Sequence, residues 1–287
     1  MWPASWALDV ASASATASAR PGVPPPFGRI VCGVDGSRTD QLAIEQAIAL
    51  SWPSTALVFV CVHERHGYGA TRQATIGTER AGHALREAVE AAREAGVDAA
   101  AELLPGGDPS PVLLDEASRS DLLVVASHGG SRAGGIALGS TASAAVHRAK
   151  VPVLVARRPP EGAPFPKRIL VATDGSTDAE RAVEIAARIG HRYRSCVYVL
   201  SVDPGPHGDP KRIAVDAVNL TAELGTEPIT LRSTGHAHER ILETAAAESI
   251  SLVAVGSRGL TGLRALGSVS ERVAHRARCS VLVARPA

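Results

Sequence analysis

An internal repeat constrains this chain more than any other feature. Its second half replays the strand, loop and helix plan of its first. RIVCGVDGS at Arg29–Ser37 returns as RILVATDGS at Arg168–Ser176, and ALVFVCV at 56–62 returns as CVYVLSV at 196–202. DLLVVASHG at 121–129 returns as SLVAVGSRG at 251–259, and VPVLVAR at 151–157 as CSVLVAR at 279–285. Asp174 lies 139 residues after Asp35, whereas the last strands are offset by 128, so connections absorb the shortening. Between the apolar runs lie segments with helical spacing, such as TDQLAIEQAIAL at 39–50 and TERAGHALREAVEAAREAG at 78–96. A weaker strand at Ala99–Leu104, a helix at Pro109–Ser118 and a helix from Thr141 to Lys150 complete the first copy.

Strands alternating with helices require right-handed crossovers and a mostly parallel sheet covered on both faces. The runs are apolar throughout rather than alternating, as strands buried on both sides must be. The expected architecture is two tandem doubly wound α/β domains, each a five-stranded parallel sheet flanked by helices. Residues 28–157 form domain 1 and residues 167–287 domain 2, joined by a proline-rich linker at 158–166 within RRPPEGAPFP. Residues 1–27, rich in Ala, Ser and Pro, read as a disordered extension; Asp9 and the lack of a basic start argue against a signal peptide.

Composition excludes several function classes. A net charge of +1 over 287 residues gives no basic surface for nucleic acid or anionic lipid. Aromatics are 3%, too few for a base-stacking platform. No stretch approaches the roughly 18 apolar residues that a membrane span needs. Cys32, Cys61, Cys196 and Cys279 form no CxxC and read as reduced thiols of a cytoplasmic protein.

In a doubly wound sheet, ligands sit at the carboxyl ends of the strands, where the strand order reverses. Each first strand ends there in Asp-Gly-Ser, with Asp35 or Asp174 at the turn and Ser37 or Ser176 as a candidate helix cap. A glycine-rich loop follows each fourth strand, with Gly129, Gly134 and Gly135 in copy one and Gly256, Gly259 and Gly262 in copy two. The next helix opens on Gly139-Ser140 or Gly267-Ser268. Glycine lets backbone approach a ligand, and a helix N-terminus offers unpaired N–H groups, so a phosphate is the natural guest.

Residues Arg29–Arg157, and again Lys167–Arg285, resemble a universal stress protein domain. ATP-binding members of that family carry a G-2x-G-9x-G-S/T motif in this loop. The resemblance implies that the first-strand Asp and an aliphatic residue ending the second strand hold adenosine, while the glycines and Ser hold phosphates. It assigns cofactor contacts to Gly33, Asp35, Val62, Gly129, Gly139, Ser140 and Thr141 in copy one. In copy two it assigns Asp174, Val202, Gly256, Gly259, Gly267, Ser268 and Val269. The implied cofactor is ATP, with or without Mg2+. Copy one keeps the loop length but has Ala126 for the first glycine; copy two keeps both leading glycines but places only seven residues between Gly259 and Gly267. Unequal nucleotide affinity is therefore expected.

No GxxxxGK[ST], GxGxxG or GxSxG stands in the right context, and no general base or nucleophile can be nominated, so no catalytic residue is expected. His63, His66, His236 and His238 lack the carboxylate or Cys neighbours of a metal site and read as surface residues. His128 and Arg258 each precede a loop glycine and are within reach of a phosphate. The leading function is a nucleotide-binding stress regulator; the rival is a non-binding dimerisation scaffold of the same fold. The resemblance also implies pairing through last strands, so Val151–Ala156 and Cys279–Ala284 can make one polypeptide a pseudo-dimer, with homodimers of whole chains also open.

Overall fold

The computed structural model describes residues 23–37, 39–64, 72–128, 138–202, 210–258 and 267–286. The first half runs β1 (Arg29–Gly33), α1 (Asp40–Leu50), β2 (Ala56–Glu64), α2 (Arg72–Glu94), β3 (Ala99–Gly106), α3 (Pro109–Ala117), β4 (Leu122–Ala126), α4 (Ser140–Arg148) and β5 (Val153–Ala156). The second half repeats it as β6 (Arg168–Thr173), α5 (Thr177–Tyr193), β7 (Cys196–Val202), α6 (Pro210–Glu223), β8 (Ile229–Ser233), α7 (Ala237–Ala247), β9 (Leu252–Gly256), α8 (Ser268–Arg276) and β10 (Ser280–Ala284).

Each half is a five-stranded parallel sheet, as the alternating pattern predicts, and the two halves fuse into one ten-stranded sheet ordered β3-β2-β1-β4-β5-β10-β9-β6-β7-β8. The inner strands are buried on both faces because helices cover both, while the outermost strands β3 and β8 remain partly exposed. One core joins Ile30, Cys32 and Phe59 to α1, α2, α5 and α6, and the other joins Val31, Leu123 and Val253 to α3, α4, α7 and α8. The 27/28 boundary is corrected: Phe27 is buried in the first core, and Thr55 donates to its carbonyl at 2.9 Å. A large aromatic next to β1 buries more apolar surface than a disordered position would allow.

The halves meet where β5 and β10 pair antiparallel, Leu154 opposite Leu282, the only antiparallel pairing among the described strands. Both expected last-strand segments therefore cover each other's edge within one chain. Two arginines lock the joint from opposite sides. Arg157, just past β5, donates through Nη2 to the Ala274 carbonyl of α8 at 2.6 Å. Arg285, just past β10, donates to the Val146 carbonyl of α4 at 2.6 Å. Each buried cation thus meets orphan carbonyls in the last turn of the other half's helix, where the dipole favours positive charge. Burial lowers the Arg157 pKa to about 10, which leaves it charged at neutral pH.

The 128-residue offset of the last strands relates both members of this pair of contacts, so the clasp has a pseudo-two-fold. A polar bridge lies beside it. The Arg157 N–H donates to Ser280 Oγ, that hydroxyl donates to Gln46 Oε1 at 2.8 Å, and Gln46 Nε2 donates back to the Arg157 carbonyl at 2.8 Å. The Tyr193 hydroxyl of α5 also donates to the Ala49 carbonyl of α1. Arg157→Ala and Arg285→Ala are each expected to cost about 1–3 kcal/mol, the range for a buried charge-assisted hydrogen bond. Urea denaturation of the full chain checks this, with the double variant the least stable.

Candidate functional site

Strand order reverses between β1 and β4 in the first half and between β6 and β9 in the second, since β2 and β7 lie on the far sides. A crevice therefore opens at these carboxyl ends. In copy one, Gly36 takes φ +76°, the left-handed conformation that glycine adopts without strain, and turns the chain after Asp35. Gly175 does the same at φ +78° after Asp174. Each turn is tied across the crevice to the strand beyond it. Thr39 Oγ1 donates to the His128 carbonyl at 2.5 Å, and Ser176 Oγ lies 3.2 Å from the Arg258 carbonyl.

The expected Ser caps are realised in one copy only. Ser176 caps α5, its Oγ accepting from the Ala179 N–H, while its own N–H donates to Asp174 Oδ1 at 3.0 Å. Ser37 does not cap α1, which begins two residues later relative to its turn; Thr39 holds the N-cap position. The difference traces to a carboxylate that the motif reading passed over. Asp40 is 6% exposed, and its Oδ2 accepts from the Asp35, Gly36 and Ser37 N–H groups at 2.6, 2.7 and 3.2 Å. Its counterpart in the second crevice, Asp178, is 5% exposed and accepts from Ser257 Oγ at 2.5 Å and the Arg258 N–H at 3.1 Å. Arg258 Nε adds an ion pair to it at 3.3 Å. A second Asp four or five residues past each Asp-Gly was the available signal.

These carboxylates decide which groups remain for a ligand. The backbone donors of the first turn are taken by Asp40, and the side chain of Arg258 is engaged by Asp178. His128 differs from Arg258: its Nδ1 lies 3.1 Å from Ser127 Oγ, while its buried Nε2 has no hydrogen-bond partner among the described residues. Burial pushes Asp40 up to about 7 from an ordinary 3.8, with the nearby Asp35 charge adding and the three backbone hydrogen bonds opposing. The same two carboxylates, after burial, raise the Cys61 thiol to about 11, so this cysteine is a poor nucleophile.

On the phosphate side, Gly139 and Gly267 are the N-cap residues of α4 and α8, and neither helix start carries a side-chain cap from the described residues. The Gly139 N–H donates to the Ser127 carbonyl and the Gly267 N–H to the Ser257 carbonyl, which brings each helix start back to its strand end. Ser140 and Ser268 are exposed, and Thr141 and Val269 half-buried, in the first turns. Val62 and Val202, half-buried, belong to β2 and β7. Gly33 ends β1, and a Cβ there would stand 2.7 Å from the Leu113 side chain, so its smallness serves packing on α3. Gly129, Gly134, Gly135, Gly259, Gly262 and His66 lie outside the described residues. His236 is the N-cap of α7, but His238 is a correction to the surface reading: it is buried, with Arg272 of α8 3.5 Å away.

Gly256 has a packing role that the motif reading did not foresee. A Cβ at Gly256 would lie 2.6 Å from the Ala179 nitrogen and 2.7 Å from the Asp178 carbonyl carbon. Its hydrogen therefore faces helix backbone, and a methyl group would press on α5. Copy one carries that methyl at Ala126 in company with the later start of α1. The missing first glycine in copy one thus belongs with the placement of α1.

Fold and crevices define a tandem pair of doubly wound α/β units with an anion-compatible helix start at each switch point. The model of the universal stress protein family matches residues 26–157 and 166–285, and the chain belongs to that family. A universal stress protein of Mycobacterium tuberculosis is 29% identical over 273 residues, covering 91% of this chain and 97% of that one. A shorter one from Bacillus subtilis is 30% identical over 145 residues, or 41% of this chain and 98% of its own length. The crystal structure of a universal stress protein from Archaeoglobus fulgidus matches with a TM-score of 0.74 at 23% identity, covering 91% of this chain and 99% of that chain. No helix among the described residues is long and apolar enough to cross a membrane.

Two expectations test this geometry. Gly256→Ala should cost about 1–3 kcal/mol by overpacking against backbone, read as a lower urea midpoint. Asp40 holds a proton in the folded state that the unfolded chain loses, because its folded pKa is raised. Stability should therefore fall as pH rises from about 4 to about 7 and level off above, and Asp40→Asn should remove that decline in denaturation series across this window.

Proposed function

We propose that this chain binds an adenine nucleotide, ATP foremost, at its strand carboxyl ends, and acts in the cytoplasm as a stress-response regulator without efficient catalysis. One observation carries the reading. In each half, an Asp-Gly turn bonded across the switch-point crevice faces a helix that starts on Gly-Ser with no side-chain cap from the described residues. A carboxylate at one side suits ribose hydroxyls, and uncapped N–H groups at a helix start suit phosphate oxygens. Asp35 and Asp174 would hold the ribose, Val62 and Val202 the base, and Gly139-Ser140 and Gly267-Ser268 the phosphates. Mg2+, where bound, would screen the triphosphate charge beside the aspartates.

The buried carboxylates set the two copies apart. Asp178 is neutralised by Arg258, whereas Asp40 is held by backbone N–H groups beside the Asp35 carboxylate. A polyanion therefore meets different local fields in the two crevices. Denaturing the purified protein and identifying released nucleotide, followed by ATP titration, tests the proposal. The expected stoichiometry is nearer one than two, with affinity weakened at least tenfold by Asp35→Ala or Asp174→Ala at the occupied copy. No released nucleotide and no binding in titration would favour the scaffold reading instead.

A further inference from the structure

The offset of 128 residues that relates the last strands also relates His147 of α4 to His275 of α8. The antiparallel joint brings these two helices together, and the imidazoles face each other across it with ring centroids 6.3 Å apart. Glu271, one turn before His275 on the same face of α8, completes the group. Its Oε1 lies 3.5 Å from His147 Nε2, and one ligand atom from each of the three residues falls within 4.8 Å of the others. We infer that His147, Glu271 and His275 form a binding site for a divalent transition metal, Zn2+ or a close relative, that bridges the two halves.

Geometry and donor chemistry support the assignment. Tetrahedral bonds of about 2.1 Å place ligand atoms roughly 3.4 Å apart, so the His147–Glu271 pair already stands near that spacing. The remaining pairs stand within 4.8 Å, so metal binding requires the side chains to draw closer together. Two imidazoles and one carboxylate suit zinc, copper, nickel or cobalt rather than magnesium or calcium, which prefer all-oxygen sets. Three protein ligands leave a fourth position for water or an added group. The side chains of His147 and Glu271 are 35% and 47% exposed, which leaves a path for the ion. Burial above all lowers the His275 pKa, with Glu271 opposing and the His147 and Arg157 charges adding; the Arg157 charge also opposes a cation here and sets a limit on affinity. His147 and His275 stand in the last turns of α4 and α8, about 10 Å along the axes from the Gly-Ser starts, and Glu271 stands in the first turn of α8, about 4.5 Å from its start. The two histidines thus lie apart from the proposed nucleotide crevices, and none of the three residues is among those assigned to the nucleotide.

The test uses the full chain with Zn2+ in calorimetric titration, and Co2+ as a spectroscopic probe of tetrahedral coordination. The expected result is one ion per chain, a rise in Tm with added metal, and at least a tenfold loss of affinity in His147→Ala and in His275→Ala. Glu271→Gln keeps the shape of the ligand while removing its charge, and it should weaken binding if either alanine variant folds poorly; circular dichroism establishes folding without metal. Two results overturn the inference. One is the absence of saturable one-to-one binding at neutral pH. The other is full affinity retained in the folded His147→Ala/His275→Ala double variant, which would leave the cluster as a hydrogen-bonded contact between helices.

Discussion

The joint between β5 and β10 is the interaction on which the rest of the molecule depends. Every other pairing among the described strands is parallel and belongs to one half. Here two four- and five-residue strands, buried along their whole length, close both sheets at once. Hydrophobic burial drives the pairing, yet an apolar strip does not by itself select one register. The reciprocal arginines do: each reaches a named carbonyl in the opposite half, and a slip by one residue would strand both buried cations. Leaving a buried charge unpaired costs more than the contact itself contributes. The joint therefore specifies alignment as well as holding the halves together.

Much of the fold was legible before any coordinates. The duplicated apolar runs and the crossovers follow from periodicity and repeat, because burial on both faces leaves few alternatives for such runs, whereas the mutual covering of the last strands follows from the resemblance. Phe27 escaped because it directly follows a proline run that reads as extension. The clasp escaped too, since Arg157 and Arg285 each look like the ordinary polar end of a strand. Their partners are 117 and 139 residues away in the chain, and no local pattern announces such a pairing.

The candidate site was legible in outline only. Asp35, Asp174 and the Gly-Ser helix starts stand where strand order demands, because turn chemistry is local. The buried partners are a tertiary matter. Asp40 and Asp178 lie at different spacings from their turns, and only packing reveals that one is satisfied by backbone and the other by an arginine and a serine. Gly256 teaches the same lesson from the opposite side. A motif glycine invites a ligand-facing account, but its nearest neighbours are the backbone atoms of α5. The cluster at His147 was invisible for a related reason, as it is split between halves and assembled by the joint.

The antiparallel joint also has a consequence for how the chain comes into being. Leu154 meets Leu282, so β5 leaves its biosynthetic source well over a hundred residues before its partner. Throughout that interval the first half carries an uncovered apolar edge, the kind of surface through which nascent chains associate wrongly. A cell making this protein must bridge that interval by speed of elongation or by a chaperone's cover, and the arrival of β10 is what ends the exposure.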